Sequence, residues 1–159
     1  MCEVACSSYH FGAVSPALAR IRVAKLEEAG IDMAVACVSC LEKPCLECPT
    51  EALTAGAAGE MLFDAEACNA CGICVDACPI GAVGFYEDQP LFCDLCGGAT
   101  PCVNVCPTNS LSYREDYRGE SLRGFLQCAG SPSQRRAAYV RAQGEPVRAS
   151  WVRGARIDS

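Results

Sequence analysis

Cys68-Asn69-Ala70-Cys71-Gly72-Ile73-Cys74-Val75-Asp76-Ala77-Cys78-Pro79 is the stretch on which the reading of this chain turns. Three cysteines follow one another at x2 spacing, and a fourth comes at x3 spacing beside a proline. Thiolate is a soft ligand that suits iron–sulfur clusters, and the C-x2-C-x2-C-x3-C-P spacing is one that holds [4Fe–4S] clusters. The grouping recurs on either side, as Cys37-x2-Cys40-x4-Cys45-x2-Cys48-Pro49 and as Cys93-x2-Cys96-x5-Cys102-x3-Cys106-Pro107. Repetition in one short chain predicts a row of clusters, and a row of clusters is a path for electrons.

The chain has 159 residues, which fits one domain on the usual prior of about 150 residues per domain. Cysteine is the outlier at 15, while large aromatics are few (Phe 5, Tyr 5, Trp 1). A core so short of large side chains needs another source of stability, and disulfides and metals are the standard ones. Disulfides fit poorly. No charged n-region precedes an apolar stretch, so no signal peptide is expected, and disulfides are rare in the cytosol. No run approaches the roughly 18 apolar residues of a membrane helix. The expectation is therefore a cytoplasmic protein without a membrane span. Zinc is the more serious rival, since C-x2-C pairs also build zinc ribbons. Zinc takes two such pairs per site, whereas the middle run sets three cysteines at x2 spacing and a fourth beside proline.

Net charge is −6, unevenly spread. Residues 1–110 hold 4 basic and 14 acidic side chains, or −10, and residues 111–159 hold 9 and 5, or +4. All nine basic residues of the tail are arginine: Arg114, Arg118, Arg123, Arg135, Arg136, Arg141, Arg148, Arg153 and Arg156. An acidic core would repel phosphates, which argues against a nucleic-acid partner. An arginine tail lying on an acidic protein surface fits better, either that of a catalytic subunit or that of another copy of this chain.

The repeat is visible beyond the cysteines: Cys48-Pro-Thr-Glu-Ala-Leu-Thr54, Cys78-Pro-Ile-Gly-Ala-Val-Gly84 and Cys106-Pro-Thr-Asn-Ser-Leu-Ser112. Cys6-Ser7-Ser8 reads as a degenerate first copy without the proline. Proline after the last cysteine fixes φ and removes a donor, ending the short helical turn. Short strands are predicted at Met61–Asp64, Gly84–Tyr86, Leu91–Phe92 and Leu111–Tyr113. Over residues 15–30, Ser15-Pro16 followed by Ala17-Leu18-Ala19 reads as a helix start. The alternation in Arg20–Val23 and Ile31–Val35 favours instead a strand pair joined through Glu27–Gly30. Ser133–Gln143 reads as a short helix, with Gly144 and Pro146 as stop signals.

In two-cluster chains the fourth cysteine of one run ligates the other cluster. Crossing the two inner runs gives a first site of Cys37, Cys40, Cys45 and Cys78, and a second of Cys68, Cys71, Cys74 and Cys48. Pairing the third run with the N-terminal remnant gives a third site of Cys93, Cys96, Cys102 and Cys6. A fourth would use Cys106 and Cys2, with Cys128 folding back as a third thiolate and His10 as the available nitrogen donor. The plainer readings are that Cys128 is a buried free cysteine and that His10 is a packed or hydrogen-bonding histidine beside a cluster. No catalytic residue is predicted. Gly97-Gly98 lacks a strand-to-helix context and reads as a turn rather than a phosphate loop.

Cys2-Glu-Val-Ala-Cys6-Ser-Ser-Tyr-His10-Phe-Gly12, then Ser15-Pro16 and Ala19-Arg-Ile-Arg-Val23, resembles the N-terminal signature of a polyferredoxin family. So do Pro44-Cys45, Ala70-Cys-Gly-Ile-Cys-Val-Asp-Ala-Cys-Pro79 and Phe92-Cys-Asp-Leu-Cys96. The family comprises electron-transfer subunits of molybdenum and tungsten oxidoreductases, and its wider circle includes iron–sulfur subunits of dimethyl sulfoxide reductase and formate dehydrogenase. The resemblance spans residues 2–113. It is strongest to the small subunit of bacterial tungsten aldehyde oxidoreductases, with tungsten benzoyl-CoA reductases next. Family members carry a full C-x2-C-x2-C-x3-C run at the N-terminus, of which this chain has only the last two cysteines.

The fold expected is α+β, a tandem of two ferredoxin-like units of the bacterial two-cluster type over residues 1–113, with an arginine-rich C-terminal extension over 114–159. The resemblance implies a subunit that does no bond chemistry itself. It would take electrons from a tungsten (or molybdenum) pterin subunit that oxidises aldehydes to acids, and pass them towards an NAD- or FAD-carrying acceptor subunit. Self-association could lengthen the path. The rival classes are a free soluble ferredoxin, a structural zinc protein, and a cluster-bearing enzyme subunit with a substrate of its own.

Overall fold

The computed structural model describes residues 1–57 and 59–154. Ten regular elements follow in chain order: α1 (Cys2–Phe11), β1 (Arg22–Leu26), β2 (Ile31–Val35), β3 (Leu53–Ala55), β4 (Met61–Phe63), α2 (Ile73–Ala77), β5 (Gly84–Tyr86), β6 (Gln89–Leu91), α3 (Pro101–Asn104) and α4 (Pro132–Gly154). The strands form three separate antiparallel hairpins, β1–β2, β3–β4 and β5–β6. The second hairpin runs from the last cysteine of one run to the first of the next, and so does the third. The result is a small mixed helix-and-strand fold in which cysteine loops alternate with two-stranded ribbons.

Isolated two-stranded hairpins are marginal in water, so each ribbon must bury a face elsewhere. Leu26, Val35, Leu53, Met61, Ile80, Val83 and Phe92 meet in one core, which Leu122, Tyr139 and Val140 of the C-terminal segment complete. A smaller cluster gathers Cys6, Ala19 and Ile21. Two helix pairings organise the cysteine loops. α2 packs on the 3-10 turn Pro44–Leu46, and α1 packs on α3. Both pairings bring together the ends of two cysteine runs.

The predicted strand pair over 20–35 is present. Arg22 faces Val35, Leu26 faces Ile31, and a 3-10 turn over Glu27–Ala29 ends at left-handed Gly30. Strands at 61–63 and 84–86 also form. The ribbon strand expected at Leu91–Phe92 runs instead over Gln89–Leu91, and Phe92 turns into the core. Leu111–Tyr113 is not a strand, because Leu111 packs beside Cys6, Ala19 and Ile21 rather than on a ladder.

Two helices depart from expectation. The N-terminal remnant is a ten-residue α-helix closed by left-handed Gly12. The C-terminal helix starts one residue earlier than predicted and runs through both stop signals to Gly154. It opens with a reciprocal cap, in which Ser131 N–H donates to Gln134 Oε1 (2.8 Å) and Gln134 N–H to Ser131 Oγ (3.3 Å). It continues past Gly144 because that residue lies against the β1–β2 hairpin, where a Cβ would meet Ile31 at 2.8 Å. Packing against a hairpin outweighs a helix-propensity cost of about 1 kcal/mol for glycine, and Pro146 is carried within the same helix.

The tail arginines find partners within this chain. Arg135 donates to the carbonyls of Val75 (2.9 Å) and Asp76, Arg136 to that of Gly81 (2.6 Å), Arg141 pairs with Glu28, and Arg123 with Glu42 at 3.5 Å. Arg156 lies outside the described residues.

Candidate functional site

Three backbone positions in each cysteine run take the left-handed conformation, and together they shape the loops. The first is the residue before the second cysteine: Ser39 (φ 46°), Ala70 (φ 59°) and Leu95 (φ 59°). There the N–H turns towards the first cysteine of its run, as Ala70 N–H does to Cys68 Sγ at 3.5 Å. Backbone N–H groups of Ser39 and Leu95 do the same for Cys37 and Cys93. The second lies two before the third cysteine: Lys43 (φ 41°), Gly72 (φ 74°) and Thr100 (φ 39°). Each precedes a short helical turn with the third cysteine at its second position. The third lies three after the proline-linked cysteine: Glu51 (φ 54°), Gly81 (φ 60°) and Asn109 (φ 51°). These N–H groups close turns onto the carbonyls of Cys48, Cys78 and Cys106.

Left-handed backbone is unfavourable for residues other than glycine, so only Gly72 and Gly81 adopt it without a steric cost. Seven other residue types hold the same geometry here. The repeated conformation is therefore set by loop closure around the thiols rather than by local propensity.

The thiols group as follows. Burial pushes the Cys45 thiol up to about 12, and the neighbouring charges of Cys37, Cys40 and Cys78 act in the same direction. Cys37 rises to about 11, chiefly through burial, with the Ser39 N–H opposing and Cys78 and Cys40 adding. Cys74 is raised by burial first, and its thiol neighbours are Cys48 and Cys71. Cys48, Cys68, Cys71 and Cys74 line a single cavity. Burial lifts Cys96 to about 12, with Asp94, Cys6 and Cys102 adding, and lifts Cys93 to about 12, with Cys37, Cys102 and Cys96 as neighbours. Thiols from runs distant in sequence are thus charge neighbours, within the predicted sets and, for Cys93 with Cys37 and Cys102 with Cys2, between them.

The raised thiols of Cys37, Cys45, Cys93 and Cys96 hold their protons without a metal, and an iron centre must displace those protons to bind. Backbone donors already face the sulfurs: Ala82 N–H to Cys78 Sγ and Arg20 N–H to Cys6 Sγ, both 3.2 Å. Cys74 and Cys78 are each 8% exposed and Cys6 is 5% exposed. Soft ligands in fours, dry walls and N–H···S bonds suit an iron–sulfur cluster.

His10 sits beside the third set. Its Nε2 is 3.3 Å from Cys96 Sγ and 3.5 Å from Asp94 Oδ1. Burial, aided by the charge of Arg20, holds it below its usual range against the pull of Asp94. Asp94 also accepts from Cys96 N–H (3.1 Å) and pairs with Arg20. His10, Asp94 and Cys96 thus bring an imidazole, a carboxylate and a thiol together at one point.

Cys2 and Cys106 line a cavity of about 300 Å³ with Met33 and Leu111. Thr108 holds the Cys106 thiol down to about 7, through its hydroxyl first, with backbone N–H groups of Leu111, Thr108 and Ser110 assisting against burial. Cys128 is not among the residues lining this cavity. It is half-buried, and its N–H donates to Phe125, whose ring packs edge-on against Tyr139. Core packing keeps it in the segment that leads to Pro132, which lies against Gly81.

Sequence reading missed the left-handed residues, the helical form of the N-terminal remnant, and the approach of Arg135 and Arg136 to the end of α2. The first had a signal: glycine stands at Gly72 and Gly81, and the other runs align on them. The last had none, because the distance between residues 76 and 135 is closed only by the fold.

Comparison with known proteins points to iron–sulfur chemistry. Residues 61–83, which contain the Cys68–Cys78 run, match the 4Fe-4S binding domain family. The chain is 40% identical over 102 residues to the polyferredoxin-like subunit of an aliphatic sulfonate oxidoreductase from Pyrococcus furiosus, covering 62% of this chain and 58% of the relative. It is 37% identical over 89 residues to the formate dehydrogenase iron–sulfur subunit of Wolinella succinogenes (53% and 44%). A putative electron transport protein, YsaA, of Escherichia coli is 35% identical over 107 residues (60% and 66%). The chain spans about half the length of the curated relatives it matches. Among the described residues no helix is long and apolar enough to cross a membrane.

Proposed function

We propose that this chain is an electron-transfer subunit of a molybdenum or tungsten oxidoreductase, of the polyferredoxin type, and that it does no bond chemistry of its own. Three [4Fe–4S] clusters would be held by Cys37, Cys40, Cys45 and Cys78; by Cys48, Cys68, Cys71 and Cys74; and by Cys6, Cys93, Cys96 and Cys102. A bound cluster supplies storage and release of single electrons. The protein's part is to fix four thiolates per site, keep water from the sulfurs and donate N–H bonds that stabilise their charge. The observation that carries the reading is that thiols of separate runs are neighbours: Cys45 of Cys37, Cys40 and Cys78, Cys74 of Cys48 and Cys71, and Cys96 of Cys6 and Cys102. Two helix pairings of the same kind, α2 with the 44–46 turn and α1 with α3, support the tandem ferredoxin arrangement of residues 1–113.

Cys93 of the third set lies within charge-interaction range of Cys37 of the first. α2 carries Cys74 of the second set and ends at Cys78 of the first. These adjacencies order the sites second, first, third. Cys2, a neighbour of Cys102, and Cys106 would belong to a fourth site beyond the third. The partner we favour is a tungsten pterin subunit that oxidises aldehydes, with an NAD- or FAD-carrying subunit as acceptor, in the cytoplasm. The 40% relative names an aliphatic sulfonate oxidoreductase, which makes a sulfonate-oxidising partner the second reading.

Anaerobic purification from the native source tests this. The expected material is brown, carries about 12 iron per chain for three clusters or about 16 for four, gives EPR signals after dithionite, and co-purifies with tungsten. Colourless, zinc-rich material would overturn the reading.

A further inference from the structure

We propose that the face around Cys71 is the port at which this chain exchanges electrons with a redox partner whose contact surface is basic. The proposal rests on reading Cys48, Cys68, Cys71 and Cys74 as a cluster site. Cys71 is the only one of the fifteen cysteines in the exposed class. Ile73 and Phe85 line the same cavity, yet remain 44% and 39% exposed. An apolar opening over a thiol that holds a redox group is where a donor or acceptor can approach closely, and exposed apolar patches with polar rims mark interaction sites.

Charge names the partner. From Pro44 to Tyr113 the chain has no lysine, arginine or histidine. Glu66, two residues before Cys68, and Glu87 and Asp88, just after Phe85, are exposed and stand close in sequence to residues that line the cavity. The other two sites differ. Arg136 from α4 lies in charge range of Cys78 in the first, and Arg20 and His10 stand beside Cys96 in the third. The ordering of thiol neighbours also puts the second site at one end of the row. An acidic rim around an apolar opening steers a basic surface towards the terminal site and raises the rate of encounter.

The test uses the cluster-loaded chain, reduced anaerobically, with cytochrome c as the basic electron acceptor in stopped flow. The second-order rate should fall steeply as salt rises. Glu87→Lys combined with Asp88→Lys should lower the rate at low salt about tenfold. Glu66→Lys should act in the same direction without touching the β5–β6 turn, so it keeps the test open if that turn misfolds. Glu27→Lys, an exposed reversal on the β1–β2 turn, should leave the rate within about twofold. Iron content and EPR signals separate the two readings. Loss of clusters in the unmutated chain would overturn the cluster assignment. Intact clusters with all reversals costing the same, or nothing, would overturn the port.

Discussion

The two ends of α2 lie beside thiols that the proposed assignment puts in neighbouring sites, and the surroundings of the two differ. At its C-terminal end Cys78 is 8% exposed, receives the Ala82 N–H, and lies under α4, whose Arg135 and Arg136 donate to the carbonyls of Val75, Asp76 and Gly81. Just before its N-terminal end Cys71 is exposed, in a stretch from Pro44 to Tyr113 that has no basic residue. Carbonyls at the end of a helix are without intrahelical partners and carry partial negative charge. Guanidinium groups supply both the missing donors and the opposite charge. Arg135 and Arg136 thus serve the inside of their own chain, and on the proposed assignment they bring positive charge to the first site while Cys71 of the second stays exposed. Positive charge near a cluster favours its reduced, more negative state, so the first site should have the higher reduction potential.

The most drastic way to break this comparison is to remove the metal. The cores on both sides of α2 are assembled from cysteine loops and short hairpins, and structural metal sites contribute folding free energy directly. Stripping iron with an anaerobic chelator should abolish cooperative thermal unfolding and near-UV circular dichroism. Persistence of both would mean that the packing of Leu122, Tyr139 and Val140 is sufficient alone.

Gly81→Val comes next. Gly81 has φ of +60°, and a Cβ there would meet the Pro132 carbonyl oxygen at 2.1 Å. Backbone strain and the clash together should cost about 2–4 kcal/mol, read as a lower melting temperature of the loaded protein. They should also free α4, so that protease cuts between residues 114 and 132 sooner than in the parent chain.

Arg136→Gln keeps the hydrogen-bonding reach and removes the charge. An anaerobic redox titration followed by EPR should show the first site shifted to lower potential, by up to about 59 mV for a tenfold change in a one-electron equilibrium, with the second site unmoved. Equal shifts at both sites would erase the contrast drawn here. The smallest effect is expected at the exposed pair of Arg141 and Glu28. Arg141→Ala should change stability by no more than about 1 kcal/mol, within a few degrees of melting temperature.

The strand pair at 20–35 was legible because the alternation of Arg20–Val23 and Ile31–Val35 and the turn through Glu27–Gly30 agreed with one another. The C-terminal helix was only half legible. Gly144 and Pro146 are stop signals in isolation, and burial against Ile31 overrode them. Leu111 shows the converse, since a strand-like triplet without a partner strand becomes packing material beside Cys6. The ligand sets were suggested by spacing, but the neighbours of Cys96 and Cys45 could be assembled only once the loops closed.

Sequence alone determined the chemistry of this protein, because ligand type and spacing are local properties and four soft thiolates in such runs leave few alternatives. Tertiary structure decided which thiols are sheltered, which one faces solvent, and where Arg123, Arg135, Arg136 and Arg141 spend their charge. Those outcomes depend on contacts between residues some sixty to one hundred and ten positions apart, such as Arg135 with Asp76 and Arg141 with Glu28. No local propensity encodes them. They follow from the need of each short hairpin and each uncapped helix end to find a partner elsewhere in the chain.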